Sequence, residues 1–332
     1  MTDHVNLASA KLGATAIAAN DEFFAPKEGL LKPGPAEWHE GEYTERGKWM
    51  DGWETRRRRE PGHDWCIIKL GAPGTVYGVI VDTKWFTGNF PESCSIDACE
   101  AAGSPSGAEL AAAAQWREIV PRSKLRGDGE NELMVGSRER ATHLRLNIFP
   151  DGGVARFRAY GVAAPDPWRL DPARGDVDLA SAELGGRVEA CSDMFYGHRH
   201  NMIMPGRATH MGDGWETKRR RGEGNDWSIV RLATPGVIHR VEIDTDHFKG
   251  NAPGACSLET CSVPHARDGD GDLSTAVWRE LVARTALQPD ARHVFFAGDA
   301  PSPPVATHAR LNIFPDGGIA RLRLYGSPAP AP

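Results

Sequence analysis

With 332 residues, 25% of them charged and 40% hydrophobic, the chain has an ordinary globular composition and room for two domains of about 150 residues each. Its formal net charge of −6 argues against a nucleic-acid partner, since such binders carry a basic surplus that displaces counterions. No run approaches the roughly 20 apolar residues that span a bilayer, and the opening MTDHVNLASAKLG lacks a charged-then-apolar export pattern, so the expectation is a cytoplasmic protein without a membrane partner.

Taken in chain order, the sequence repeats itself. NLASAKLG at 6–13 is answered by DLASAELG at 178–185, which shifts Leu7 to Leu179 by 172 positions. DGWETRRRR at 51–59 is answered by DGWETKRRR at 213–221, but Trp53 to Trp215 is a shift of only 162. The first copy therefore carries ten extra residues between these motifs, within FFAPKEGLLKPGPAEWHEGEY. The pairs continue with DW at 64–65 and 226–227, DTKWFTGNFP and DTDHFKGNAP, QWREIV and VWRELV, and a final THLRLNIFPDGG and THARLNIFPDGG. Order and spacing both survive, so the chain is a duplicated domain: 1–162, a proline-bearing linker at 163–175, then 176–326 and a frayed tail at 327–332.

The periodicity is that of strands. In HLRLNIF, Leu144, Leu146 and Ile148 alternate with Arg145, Asn147 and Phe149, and in RVEID, Val241 and Ile243 alternate with charges, the period of two of a sheet with one buried face. GAPG, GNFP and FPDGG punctuate these runs as turns. The one helix-like stretch, AELAAAAQW at 108–116, reads as loop decoration. The expected fold is all-β: two tandem antiparallel jelly-roll β-sandwiches. Six cysteines fall three per copy, and an odd number in a chain without an export pattern predicts free, mostly buried thiols.

GKWMDGWETRRRR, DWCIIKLG, DTKWFTGNFP and LRLNIFPDGG resemble the signature segments of the allantoicase (allantoate amidinohydrolase) family, over nearly the whole chain. That resemblance implies a tandem repeat, sandwiches of the galactose-binding type, and hydrolysis of allantoate to ureidoglycolate and urea. Composition and spacing alone give only a duplicated sandwich with a polar motif in each copy.

Splitting the bond from a central carbon to a urea nitrogen requires a proton for the leaving urea, an activated water and a grip on the carboxylate. Carboxylates and arginines are the residue types for those tasks. The repeated motif brings Asp51, Glu54 and Arg57, and again Asp213, Glu216 and Arg219; the alternative is a surface turn whose charges pair with one another. Asp64 and Asp226, each beside a tryptophan, are candidate acids favoured by desolvation, or simple turn caps. Asn89, Asn251, Asn147 and Asn312 are candidate ligands for ureido groups, or structural loop and strand residues. The FPDGG segments, with Asp151 and Asp316, read as sharp turns needing glycine.

The sequence requires no metal or other cofactor. His198, His200 and His210 cluster only in the second copy and read as surface residues, and Asp268, Asp270 and Asp272 imitate a calcium loop but have Leu273 and Arg279 where glycine and glutamate belong. A divalent ion such as manganese, held by carboxylates, stays open. Allantoate is the expected small-molecule partner, and a homo-oligomer is expected from exposed strand edges. The rival functions are a carbohydrate-binding module without catalysis and a ureidoglycolate-cleaving lyase.

Overall fold

The computed structural model describes residues 3–113, 115–263, 273–297 and 304–330; Asp268, Asp270 and Asp272 lie outside the described residues. The chain divides between Ala164 and Pro165 into two units, and every ladder is antiparallel and stays within its unit.

Each unit is organised by one 19-residue strand. In the first this is Asp64–Asp82. Its opening residues pair with His143–Ile148 on one side and with Thr15–Ala19 on the other. Past a bend at Gly71-Ala72-Pro73, where Pro73 has no N–H to give a ladder, the same strand pairs with Arg156–Ala163 and with Glu130–Met134. One strand therefore belongs to two sheets, and their facing sides enclose the core. Ser93–Cys99 and Arg117–Lys124 extend the first sheet, and Val5–Asn6 extends the second. Leu144, Leu146, Ile148, Phe157, Trp53 and Phe86 are fully buried, each worth about 1.5–3 kcal/mol for an aliphatic or phenyl side chain taken out of water.

The alternation expected of 143–149 is found, but its polar face is covered too: His143 and Asn147 are buried. On this face the short helix Gly107–Ala113 packs its Leu110 with Cys99 and Ile67, the ladder partners of His143 and Arg145, against Ile17, Trp65 and Trp116. The segment expected as loop decoration is thus a small outer core layer. With no water reaching its ring, His143 has its pKa pushed down to about 4, by burial first and by the Lys69 charge second.

The second unit repeats the plan around Asp226–Asp244. Glu189 stands where the first unit has Ile17, and it accepts from Arg187 at 2.8 Å and meets His308 Nε2 at 3.2 Å. Burial alone would raise this carboxyl; His308 and Arg187 overcome it and hold the pKa down at about 2. The last strand, Arg321–Pro328, runs past residue 326, where the sequence places the start of the tail, because Ser327 and Pro328 still lie in register with Val237 and Gly236. All six cysteines are free, with only Cys191 partly exposed.

Candidate functional site

In the first unit the repeated motifs converge at the end of the sandwich where the long strand begins. Trp53 and Glu54 form a two-residue strand paired with Gly153 and Val154. Trp53 is fully buried and its Nε1 donates to Asp21 O at 2.8 Å, which anchors the motif so that the side chain after it is fixed. Glu54 accepts from Asn89 Nδ2 at 2.6 Å. Burial raises its pKa, and the Asn89 hydrogen bond only partly opposes this.

The FPDGG turn holds the loops together. Pro150 O accepts from Asp64 N at 3.2 Å, Asp151 Oδ2 from Arg58 N at 2.8 Å, Gly152 O from Thr55 N at 3.2 Å, and Gly153 N donates to Asn89 O at 2.8 Å. Gly152 has φ +136°, and a Cβ there would lie 2.7 Å from Asn89 O; one on Gly153 would lie 1.9 Å from the Phe86 ring. The turn needs glycine, as its sequence suggested.

Asp64 is 1% exposed. Its Oδ1 accepts from Arg58 Nη1 at 2.7 Å and from Asn20 Nδ2 at 2.9 Å, while Oδ2 and Arg58 Nε are buried with no hydrogen-bond partner among the described residues. Buried polar atoms are rarely left so, and an acceptor beside a guanidinium N–H suits a polar ligand. Arg56 is held by Asp21. Arg57 is exposed.

Other candidates sit apart from this cluster. Asp51 is buried in an ion pair with Arg156, with Lys32 Nζ at 2.6 Å and Glu37 N at 2.9 Å; these partners hold its pKa down against burial. It pins the insertion to the sheet. Asn147 lies on the outer sheet face, donating to Ser95 Oγ at 3.2 Å and Asp97 Oδ2 at 2.8 Å, while Asp64 lies one residue out of phase with it, opposite Ile148.

The second unit reproduces the arrangement. Glu216 accepts from Asn251, Asp226 Oδ1 accepts from Arg220 Nη2 at 2.6 Å and from Ser192 Oγ at 3.0 Å, and Arg220 N donates to Asp316 Oδ2 at 2.8 Å. Asp213 pairs with Arg321 as Asp51 does with Arg156. Asn312 donates to Ser257 Oγ at 3.2 Å and Glu259 Oε2 at 2.9 Å. Arg219 is exposed. Asn251 Nδ2 also lies 3.2 Å from Met211 Sδ, a neighbour the first unit lacks.

The structure thus brings together Glu54 with Asn89, and Glu216 with Asn251, and it adds Arg58, Arg220, Asn20, Ser192, Asp151 and Asp316, which the sequence reading did not single out as site residues. The signal for Asp151 and Asp316 was the identity of FPDGG in both copies. Nothing in the local pattern selects Arg58 over Arg57, because the choice depends on where Asp64 lies in space. Among the described residues no three histidine, cysteine, aspartate or glutamate side chains are grouped to hold a metal ion, and no helix is long and apolar enough to cross a membrane.

Comparison with known proteins agrees with this architecture. The family model for the allantoicase repeat matches residues 5–164 and again 177–329. The chain is 49% identical over 324 residues to the probable allantoicase 1 of Burkholderia mallei, covering 98% of this chain and 94% of that one. It is 47% identical over 337 residues to the probable allantoicase of Streptomyces coelicolor, covering 98% and 86%. The crystal structure of allantoicase from Saccharomyces cerevisiae superposes with a TM-score of 0.82 at 33% identity, covering 98% of this chain and 94% of that one. Two copies of the repeat, full-length relatives and a shared fold place this chain in the allantoicase family.

Proposed function

We infer that this chain is a hydrolase that splits allantoate into ureidoglycolate and urea, a step of purine breakdown. Family membership over the full length supports the substrate, and the observation that carries the chemistry is the Glu54–Asn89 pair with its duplicate, Glu216–Asn251.

Glu54 combines the features a general acid needs. Burial favours its protonated form, and Asn89 occupies Oε1, which leaves Oε2 to carry the proton. That proton passes to the urea nitrogen as its bond to the central carbon breaks. A water molecule supplies hydroxyl to the carbon and returns a proton to the glutamate, so the group is regenerated and atoms balance. Arg57, exposed beside this site, is assigned the substrate carboxylate, because Arg58 is committed to Asp64. Asp64 Oδ2, buried and without a partner among the described residues, accepts from a ureido N–H. In the second unit Glu216, which Asn251 holds as Asn89 holds Glu54, and Arg219 are assigned the corresponding positions, with Asp226 beside Arg220 as Asp64 is beside Arg58. Asp51 and Asp213 are assigned a holding role through Arg156 and Arg321. Asn147 and Asn312 are assigned to the outer sheet face.

The test is urea release from allantoate by the purified chain, with the organic product identified. Urea with ureidoglycolate supports the reading. No urea above the spontaneous rate overturns it, and glyoxylate from added ureidoglycolate as the main activity favours the lyase instead.

A cytoplasmic setting accords with six free thiols. A homo-oligomer is proposed from the strand Arg292–Phe296, which exposes Val294 and Phe296 and ladders onto Arg240–Asp244, an apolar edge suited to a second copy; light scattering checks it.

A further inference from the structure

The second unit contains a cavity of about 240 Å3 that the loop cluster does not use. That is below the ~300–1,000 Å3 of sites for drug-sized molecules, and it suits a small metabolite. Glu242 and Asp244 stand two apart on the long strand and so share one face. The ladder sets Arg323 opposite Glu242 and Arg321 opposite Asp244 on one side, and Arg292 opposite Asp244 on the other. Arg207, on a loop, lines the rim of the cavity.

Surrounding carboxylates fix these guanidiniums: Asp246 holds Arg207, Glu242 holds Arg292 at 3.4 Å, Asp213 holds Arg321 at 3.3 Å, and Asp178 lies 3.6 Å from Arg323. A guanidinium has five N–H donors; Arg321 gives its own to Gly206 O, Asp213, Ala320 O and Arg207 O, and Arg323 gives Nη2 to Met204 O and Gly206 O, so among the described residues the donors left for a ligand are those of Arg292 and Arg207. Glu242 and Asp244 are 8% and 5% exposed, so two buried carboxylates face the same space as the arginines. A simple anion would satisfy the arginines and be repelled by the carboxylates; a simple cation would meet the reverse. A ligand bearing one carboxylate and several N–H donors satisfies both.

The first unit keeps part of this lining, with Asp82, Arg156 and Arg158 at the ladder positions of Asp244, Arg321 and Arg323, but lacks the rest. Where the second has Glu242 and Arg292, the first has Ile80 and Glu130 at the same ladder positions, and where it has Arg207, the first has Pro35, whose carbonyl accepts from Arg156 as that of Arg207 does from Arg321. The duplication kept two arginines and one aspartate in both copies and added Glu242, Arg292 and Arg207 in the second.

We propose that this cavity is a second small-molecule site, confined to the second unit and distinct from the loop cluster, for a carboxylate that also carries amide-type or ureido N–H donors.

The experiment is calorimetry of the intact chain with N-carbamoylglycine, a ureido acid lacking the labile second ureido group, with acetate as the control. Urea release from allantoate is measured in parallel on the same preparations. Arg292→Glu and Glu242→Ile install the residues that the first unit carries. We expect Arg292→Glu to remove one bound ligand per chain, or to weaken that site at least 10-fold, with urea release unchanged. Glu242→Ile should erase the preference for N-carbamoylglycine over acetate at that site. Indistinguishable binding by wild type and both variants overturns the proposal, as does equal binding of acetate to the wild type. Loss of urea release in a folded Arg292→Glu chain also overturns it, since the cavity would then belong to the catalytic site. Absence of urea release by the wild type would instead count against the allantoate reading and leave the calorimetric result to stand on its own.

Discussion

Asp151 and Arg58, 93 positions apart, meet through a 2.8 Å hydrogen bond from the Arg58 backbone N–H to Asp151 Oδ2. Asp316 and Arg220 repeat it at the same length. This contact turns Arg58 toward Asp64 and leaves the neighbouring Arg57 exposed, so of two adjacent arginines one is committed to a buried carboxylate and the other is the one proposed for substrate.

Replacing Arg58 by alanine should therefore act mainly on stability. It leaves Asp64, 1% exposed, as a buried carboxylate without an ion-pair partner and with Asn20 as its remaining hydrogen-bond donor among the described residues, a change that costs about 3–5 kcal/mol. Arg57→Ala should unfold like the wild type and raise KM for allantoate about 10- to 100-fold, the value of a charge-assisted hydrogen bond. Denaturant unfolding and steady-state kinetics on both variants separate the roles.

Glu54→Gln should lower kcat about 100-fold or more if the first unit turns over substrate, the usual contribution of a positioned acid. The active form is protonated and burial raises the pKa, so the wild-type rate falls as pH rises through that raised value. The variant should lose this limb. Glu216→Gln measured alongside assigns turnover between the units, and two fully active single variants would make both glutamates structural.

Gly152→Ala should destabilise the loop cluster by about 1–3 kcal/mol, the cost of a strained backbone position, because its Cβ would sit 2.7 Å from Asn89 O at a φ of +136°. Activity should fall further than stability, since Asn89 orients Glu54. Gly136→Ala, with open space around its Cβ, serves as the control.

Stability should climb from pH 4 to pH 6.5. His143 stays neutral in the fold down to about pH 4, whereas an unfolded histidine protonates near 6.5. The unfolded chain binds more protons across that window, so acid favours unfolding, by on the order of 2–3 kcal/mol. Thermal melts across this range should rise with pH. His143→Asn, which keeps an acceptor near Thr142, should flatten the rise.

Thiol reagents should reach Cys191 first. It is partly exposed, whereas Cys94 and Cys256 are fully buried with pKa values pushed up to about 12 by burial. Mass spectrometry after brief alkylation should find one modified cysteine in the native state and six after denaturation.

The sequence by itself determined the duplication, the strand periods and the turn glycines, because each is written in residues close together in the chain. The alternation of Leu144, Leu146 and Ile148 is legible without a partner strand, and Gly152 declares a conformation that only glycine adopts freely. Only the tertiary structure decided which polar residues meet. Asp51 and Glu54 stand three apart in one motif, yet one is buried against Arg156 and the other faces Asn89. Arg57 and Arg58 are indistinguishable by type and differ only in what the turn at Asp151 presents to them. The apolar layer over Cys99, the ladder partner of His143, likewise depends on a helix that ends 30 residues upstream of that histidine. Electrostatic partners are chosen by distance in space, and the chain encodes that distance only through the packing of both sheets together.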